Sequence, residues 1–246
     1  MIPVYRNDSY LRSLDTVLDQ VSEDDAYQLL TCREAIFAEG GGQPRDYGTV
    51  TVRGEVRTVL DLVKHKGDIR LRVERIGGIE KGDPIVCEID FDRRYRIMRL
   101  HTAQHALAAS VRKVIADYQT AGMRIDEPAN TCTMNFLSAI EAPEKAVQDA
   151  LPGLEHVIRE GRGVHADQLE SIDLAVGKYG ALFRPGDPAV KIKGRVRMIV
   201  IEGLDANACG GTHLRNTEEI KGVRLLSVTK GDQQNVNHVS FELGSR

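Results

Sequence analysis

Two short stretches of this chain carry residue types that bind a transition metal. His101-Thr-Ala-Gln-His105 offers two imidazoles four residues apart, and Cys209-Gly-Gly-Thr-His213 offers a thiol and a third imidazole at the same offset. Residues four apart share one face of a helix, so the first pair can aim both rings at one point. Gly210 and Gly211 make helix costly across the second pair, which predicts a tight loop there instead. Three imidazole nitrogens and one thiolate are a ligand set typical of zinc, and the spacing predicts that His101, His105, Cys209 and His213 meet on one ion. Residue type leaves open whether that ion is structural or catalytic, because a full protein shell closes a structural site while a catalytic one keeps a position free. Two peptidase patterns are excluded. The glutamate that follows the first histidine in one of them is Thr102 here, and the glutamate that precedes the second histidine in the inverted form is Gln104.

The first pair needs a helix, and Met98, Ala103, Leu107, Val111 and Val114 fall at helical spacing around it. That apolar stripe predicts one buried side, with the histidines on another. Upstream, the apolar runs Thr49–Val52, Val56–Leu60, Ile69–Val73 and Pro84–Ile89 are separated by Gly54, Lys66-Gly67-Asp68 and Lys81-Gly82-Asp83. Short strands with Gly-Asp turns read as a small β-barrel. The change of period near Asp90 to Arg94 then divides the chain into residues 1–92 and residues 93–246. Downstream, strands are expected at Thr131–Phe136, Val196–Glu202, Val223–Val228 and Asn237–Leu243, with an amphipathic helix around Ala142–Gly161. The fold class is therefore α+β, a small N-terminal barrel followed by a two-layer domain that carries the zinc site. The stretch Gly163–Asp187 has weak periodicity and reads as a surface connection, or as an excursion toward a partner.

At 246 residues, 41% of them hydrophobic, the chain can form one large or two modest domains. No apolar run approaches the ~18 residues of a membrane span, and Met1-Ile-Pro-Val-Tyr-Arg-Asn-Asp does not read as a secretory leader, so a cytoplasmic protein is expected. In that reducing setting Cys32, Cys87 and Cys132 are most simply small core residues. A formal net charge of −3 gives no global basic excess, so any nucleic-acid contact must rest on local patches. Arg93, Arg94, Arg96 and Arg99 lead into the histidine helix, and Lys191, Lys193, Arg195 and Arg197 alternate ahead of the cysteine loop. Alternation puts the latter four on one strand face, either as a solvated surface or as a phosphate contact.

Arg99-Leu-His101-Thr-Ala-Gln-His105-Ala-Leu together with Ala208-Cys209-Gly-Gly-Thr-His213-Leu-Arg-Asn216-Thr217-Glu-Glu219-Ile220 resembles the editing domain of alanyl-tRNA synthetase and its freestanding relatives, the AlaX proteins. The four metal positions match one for one. Glu39-Gly40-Gly41-Gly42-Gln43-Pro44-Arg45-Asp46-Tyr47-Gly48 resembles the glycine-rich signature of the medium-length type. No class II aminoacylation motif is found, so the resemblance implies hydrolysis alone, without ATP. The implied substrate is mischarged tRNA(Ala), with Ser-tRNA(Ala) first and Gly-tRNA(Ala) second. The implied metal is zinc on the four residues named above. No side chain is assigned as the catalytic group, since a zinc-associated water or the substrate itself could fill that role.

The resemblance places Thr120, within Tyr118–Gly122, on the side of the serine hydroxyl, and Gln43, Gly210 and Gly211 along the substrate. Arg93, Arg94, Arg96, Lys191 and Lys193 are its candidates for tRNA contact. The chain departs from the family pattern at Ile36-Phe37-Ala38 before the glycines and at His238-Val239 in the closing strand. An editing hydrolase for a threonine-type tRNA and a non-catalytic zinc-stabilised RNA-binding module are the alternatives. The sequence leaves the oligomeric state open, a monomer included.

Overall fold

The structure, a computed structural model, describes residues 2–65, 68–184 and 194–244. Two compact units are present, the first made of Met1–Gly40 and Arg45–Tyr95 and the second of Gly41–Pro44 and Arg96–Arg246.

Beside a short parallel pair of Ile2–Pro3 with Glu34–Ala35, the first unit is built on a seven-stranded antiparallel sheet. Its strands are β1 (Ser13–Asp24), β2 (Tyr27–Cys32), β3 (Gly48–Val52), β4 (Glu55–Thr58), β5 (Asp61–His65), β6 (Asp68–Glu74) and β7 (Pro84–Ile89), in the order β4-β3-β7-β1-β2-β6-β5. β1 pairs with β7 through Ser13–Val17 and with β2 from Leu18 to Asp24, and its register shifts between Leu18 and Gln20. A bulge of this kind bends a strand, so one long strand can serve two halves of a sheet that turn toward each other. The inward residues agree: Val50 and Val52 from one half, Leu62, Leu71 and Val73 from the other, and Leu18, Leu30, Ile85 and Cys87 between them share a single apolar core. In place of the expected barrel there is a curled sheet whose ladders, among the described residues, end at β4 and β5. The sequence reading missed β1 and β2, where Asp15, Asp19, Glu23 and Asp24 sit among the apolar positions and acidic residues are depleted in strands.

Arg94 fastens this unit. It lies in the first turns of α1 (Phe91–Val114). Fully buried, its guanidinium forks onto both carboxylate oxygens of Asp46, with Nε 2.8 Å from Oδ1. It also donates to the carbonyls of Ile36 at 2.8 Å and Ser9 at 3.1 Å, while Asp46 accepts from the N–H of Ala38 at 2.6 Å. These bonds correct the expectation that Arg94 meets phosphate: a buried guanidinium with every face committed has none left for solvent.

The second unit holds two four-stranded sheets. β8 (Gln119–Asp126), β9 (Thr131–Leu137), β14 (Val223–Lys230) and β15 (Val236–Leu243) form an antiparallel sheet in the order β8-β9-β15-β14. β10 (Val164–Leu169), β11 (Phe183–Arg184), β12 (Val196–Ile201) and β13 (Asp205–Ala208) form the other, ordered β10-β12-β13-β11 with only the β13–β11 pair parallel. α2 (Pro143–Glu160) packs its apolar stripe against β14. α3 (Ile172–Tyr179) packs on the second sheet, with Ala175 in that sheet's apolar cluster. The segment read as a connection from Gly163 to Asp187 is thus β10, α3 and β11 as far as Arg184, and residues 185–187 lie outside the described residues.

α1 also differs from expectation. From Leu100 to Val111 every residue is buried, and Val114 at the end of the proposed stripe is exposed. A helix buried all round has no single apolar stripe. No helix among the described residues is long and apolar enough to cross a membrane.

Removing one partner of a buried pair strands the other charge, which typically costs about 3–5 kcal/mol. Asp46→Ala is expected to lower unfolding stability by that order in urea denaturation. An unchanged midpoint and slope would show that the pair contributes nothing.

Candidate metal centre

Four donors converge in the second unit. One ligand atom each from His101, His105, Cys209 and His213 lies within 4.8 Å of the others, with the three histidines buried and Cys209 half-buried. The two histidines of α1 stand with ring centroids 5.2 Å apart, one turn along the helix as the spacing requires. Cys209 follows β13 directly, and the residues to His213 form a loop rather than a helix. The N–H of Cys209 binds the carbonyl of Arg197 at 3.0 Å, and Arg197 Nη1 returns to the carbonyls of Cys209 and Gly211, each at 2.9 Å. Arg197, read from sequence as part of a solvated face or of a row of phosphate contacts, is instead half-buried and clamps the loop. Arg195 just before β12 points out and pairs with Glu170. Beyond His213, Asn216 and Glu219 form a capping box that starts a short 3₁₀ turn over Thr217–Ile220. Arg99 from α1 donates to the carbonyls of Glu219 and Ile220.

The glycine-rich segment supplies the fifth participant. The Gly42 carbonyl accepts from the N–H of Ile125 on β8 at 2.9 Å, and a Cβ on Gly42 would fall 2.0 Å from the Met123 carbonyl oxygen. Gly42, at φ +85°, is therefore required by a close backbone approach. This contact delivers Gln43 into the centre. Its Oε1 accepts from the N–H of Thr212 at 3.0 Å and the Thr212 hydroxyl at 3.2 Å, and stands 3.1 Å from His101 Nδ1. Gly211 is equally constrained, since a Cβ there would lie 2.3 Å from the His101 ring and 2.8 Å from Gln43 Oε1.

These contacts orient the rings. With Gln43 Oε1 at His101 Nδ1, the proton sits on Nδ1 and the Nε2 lone pair is free. That Nε2 is 3.5 Å from Cys209 Sγ. His213 shows the same arrangement, with Nδ1 3.3 Å from the Thr102 hydroxyl and Nε2 3.3 Å from the sulfur. A tetrahedral zinc with bonds of about 2.3 Å to sulfur and about 2.05 Å to nitrogen would separate those two donors by roughly 3.5 Å, so the observed spacing fits. Gly211 N–H also points at the sulfur from 3.4 Å, which favours the thiolate. Burial holds His101 down to about 3, helped by the Arg197 charge, and burial likewise pushes His105 and His213 well below the usual imidazole value, helped by their neighbours. Neutral rings are what a metal needs.

The remaining candidates are placed as follows. Thr120 is on β8 beside a register break before Met123, half-buried, and accepts from Arg184 Nη1 at 3.4 Å. Gly210 is exposed. Arg96 is half-exposed and paired with Glu127 at 2.6 Å. Arg93 belongs to the first unit, nearly buried, its guanidinium over the Tyr47 ring. Lys191 and Lys193 lie outside the described residues. Sequence reasoning missed Arg184 and Asp205, which carry no local spacing signal, and it named Arg197 only as a member of the alternating basic row. Cys32, Cys87 and Cys132 are buried free thiols.

Comparison with known proteins gives a consistent family. Residues 196–237 match the family described as "Threonyl and Alanyl tRNA synthetase second additional domain". The alanyl-tRNA editing protein AlaX-M of Methanosarcina acetivorans is 33% identical over 94% of this chain and 95% of its own length. The alanine–tRNA ligase of Ignicoccus hospitalis is 30% identical over 99% of this chain, but the chain spans only 26% of that protein. The ligase of Aeropyrum pernix is 34% identical over 85% of the chain, which spans 23% of it.

The three depressed histidines give the apo protein a pH signature. An unfolded histidine titrates near 6.5, the folded ones well below it, so between those values unfolding takes up protons and stability falls as pH falls. With a chelator present, the melting temperature is expected to drop from about pH 7 to about pH 5, with a shallower slope in His101→Gln. Equal slopes in both proteins would remove the neutral-histidine assignment.

Proposed function

We propose that this chain, which belongs to the AlaX-M family of alanyl-tRNA editing proteins, hydrolyses the ester of a wrongly attached amino acid on tRNA(Ala), serine first and glycine second. The observation that carries this reading is the set of three neutral imidazoles and one thiol, in a chain that matches alanyl-tRNA editing proteins over nearly their whole length. Water oxygen attacks the ester carbonyl, the bond to the ribose oxygen breaks, and the ribose hydroxyl leaves. No ATP is consumed. Zinc is the proposed metal, held by His101, His105, Cys209 and His213, and when bound it supplies Lewis acidity or a fixed point for the aminoacyl group.

The protein residues do the rest. Gln43 Oε1 is spent on Thr212 and His101, but its Nε2 is buried with no hydrogen-bond partner among the described residues. A buried amide donor left unpaired is costly, and the carbonyl of a bound aminoacyl group would satisfy it. Gly211 lets the loop lie against the His101 ring, where a side chain would clash, and exposed Gly210 is proposed to border the substrate. Thr120 is the proposed partner of the serine hydroxyl. Such a contact is needed because a pocket distinguishes serine from alanine by one hydroxyl only, and editing exists where synthetic selectivity falls short. For the tRNA, Arg96 is the described residue whose half-exposed guanidinium fits phosphate contact, with Lys191 and Lys193 as further candidates, whereas Arg93 is buried over the Tyr47 ring and drops out of that set. The curled first unit is proposed as the companion domain that helps recognise the tRNA, and the cytoplasm as its place of action.

The decisive assay is deacylation of Ser-tRNA(Ala), Gly-tRNA(Ala) and mischarged tRNA(Thr) with and without a chelator. Zinc-dependent release from tRNA(Ala) is expected. Release from threonine-type tRNA alone favours the other branch of the matched family, and tRNA binding without turnover favours a non-catalytic module. His105→Ala is expected to lose zinc and deacylation together, and full zinc with full activity in that variant would overturn the reading. Thr120→Val keeps shape and removes the hydroxyl, and a lost neutral hydrogen bond is worth about 0.5–1.5 kcal/mol, so the Ser-to-Gly rate ratio should fall roughly three- to tenfold. An unaltered ratio would move the serine contact elsewhere.

A further inference from the structure

Two of the three imidazoles have an acceptor within hydrogen-bond range of Nδ1: Gln43 for His101 and Thr102 for His213. His105 Nδ1 is buried with no hydrogen-bond partner among the described residues. A carboxylate stands opposite it. Asp205 Oδ2 is 4.0 Å from His105 Nδ1, and Asp205 is completely buried. It lies on β13, four residues before Cys209, so one short strand carries the carboxylate and leads directly into a donor.

Asp205 is itself held. Arg184 Nε is 2.6 Å from Oδ1 and Nη2 is 2.5 Å from Oδ2, a two-point fork that fixes the carboxylate plane. The remaining Arg184 nitrogen reaches Thr120. Arg184 sits on β11, which runs parallel beside β13. Arg112 of α1 donates to the carbonyls of Phe183 and Ala181 and lies 4.0 Å from Asp205 Oδ1, so the helix of the histidines also fixes the strand of Arg184. The buried pair is neutral overall, and its desolvation is expensive enough that hydrophobic residues of similar volume often serve stability as well. A pair kept at a donor cluster therefore calls for a role beyond stability.

We propose that Asp205, fixed by Arg184, is a positioning residue for His105: it holds the ring as the Nδ1–H tautomer with Nε2 turned to the other three donors. This rests on the reading of the four donors as a metal centre. A carboxylate facing Nδ1 both selects the tautomer and raises the basicity of the ligating nitrogen, and loss of such a partner typically weakens metal affinity about 10- to 100-fold.

The test uses the full chain. Long-range ¹H–¹⁵N spectra of the zinc-loaded wild type should show His105 protonated at Nδ1. A proton on Nε2 of that ring would overturn the proposal, and this measurement decides it even where no variant folds. Zinc affinity, measured by chelator competition, is then compared in wild type, Asp205→Asn and the double variant Asp205→Leu/Arg184→Met, which removes both buried charges together. The folded variants are expected to bind zinc about 10- to 100-fold more weakly. Wild-type affinity in a folded variant would sink the positioning role, because a merely structural pair changes melting and leaves affinity in place. A wild type that binds no zinc would sink the metal reading, so the two failures are distinguishable.

Discussion

The side-chain carbonyl of Gln43 accepts the N–H and the hydroxyl of Thr212 and faces His101 Nδ1, so a single amide oxygen joins the histidine helix to the cysteine loop. Everything else at the centre follows from keeping that oxygen in place. Gly42 lets its strip press against β8, since any side chain there would meet the Met123 carbonyl. Gly211 lets the loop lie on the His101 ring. The two glycines act at opposite sides of the same contact, and neither is needed for flexibility as such: Gly42 marks a close approach to the Met123 carbonyl and Gly211 one to the His101 ring, each closer than a Cβ permits.

Charge at the centre is arranged so that the imidazoles stay neutral while cations surround them. Arg197 bonds two loop carbonyls beside the sulfur, and Arg184 is neutralised by Asp205. Positive neighbours and burial both oppose protonation of the rings, and the same positive neighbours favour the thiolate. The first unit uses the same device for a different purpose. Arg94 and Asp46 form a buried neutral fork there too, but their other bonds go to backbone carbonyls and N–H groups, so that fork fastens chain segments and does not orient a donor.

The four donors were legible because each pair lies within five residues, and local spacing alone states the geometry. The strands with clean apolar alternation, such as Pro84–Ile89 and Val236–Leu243, were legible for the same reason. What escaped was non-local or disguised. Arg94 and Arg197 read as cations open to phosphate, and Arg184 carried no signal at all, because nothing in the sequence shows that Asp46, a carbonyl or Asp205 lies opposite. β1 hid behind its acidic residues. α1 read as amphipathic because an apolar stripe can be picked out of a helix whose other faces, Thr102, Gln104 and Ser110 among them, are also buried. Thr102 and Ser110 are tolerated there since each hydroxyl has a partner, His213 and Leu214 for the first and the Ala106 carbonyl for the second.

The division of the chain follows from the same contact that opens the centre. A cut between residues 92 and 93 looks natural in sequence, where strand periodicity gives way to helix. Yet Gly41–Pro44 belongs with the second unit, and it supplies the acceptor for the Ile125 N–H as well as the oxygen to which both the N–H and the hydroxyl of Thr212 donate. A fragment starting at residue 93 would expose an unpaired edge on β8 and leave the His101 Nδ1 and Thr212 donors without their oxygen. Buried donors without partners cost about 1–3 kcal/mol each, so the cost would fall on the metal loop first. The second unit is therefore discontinuous in sequence by physical necessity, and the strip that precedes it by some fifty residues is part of its donor site.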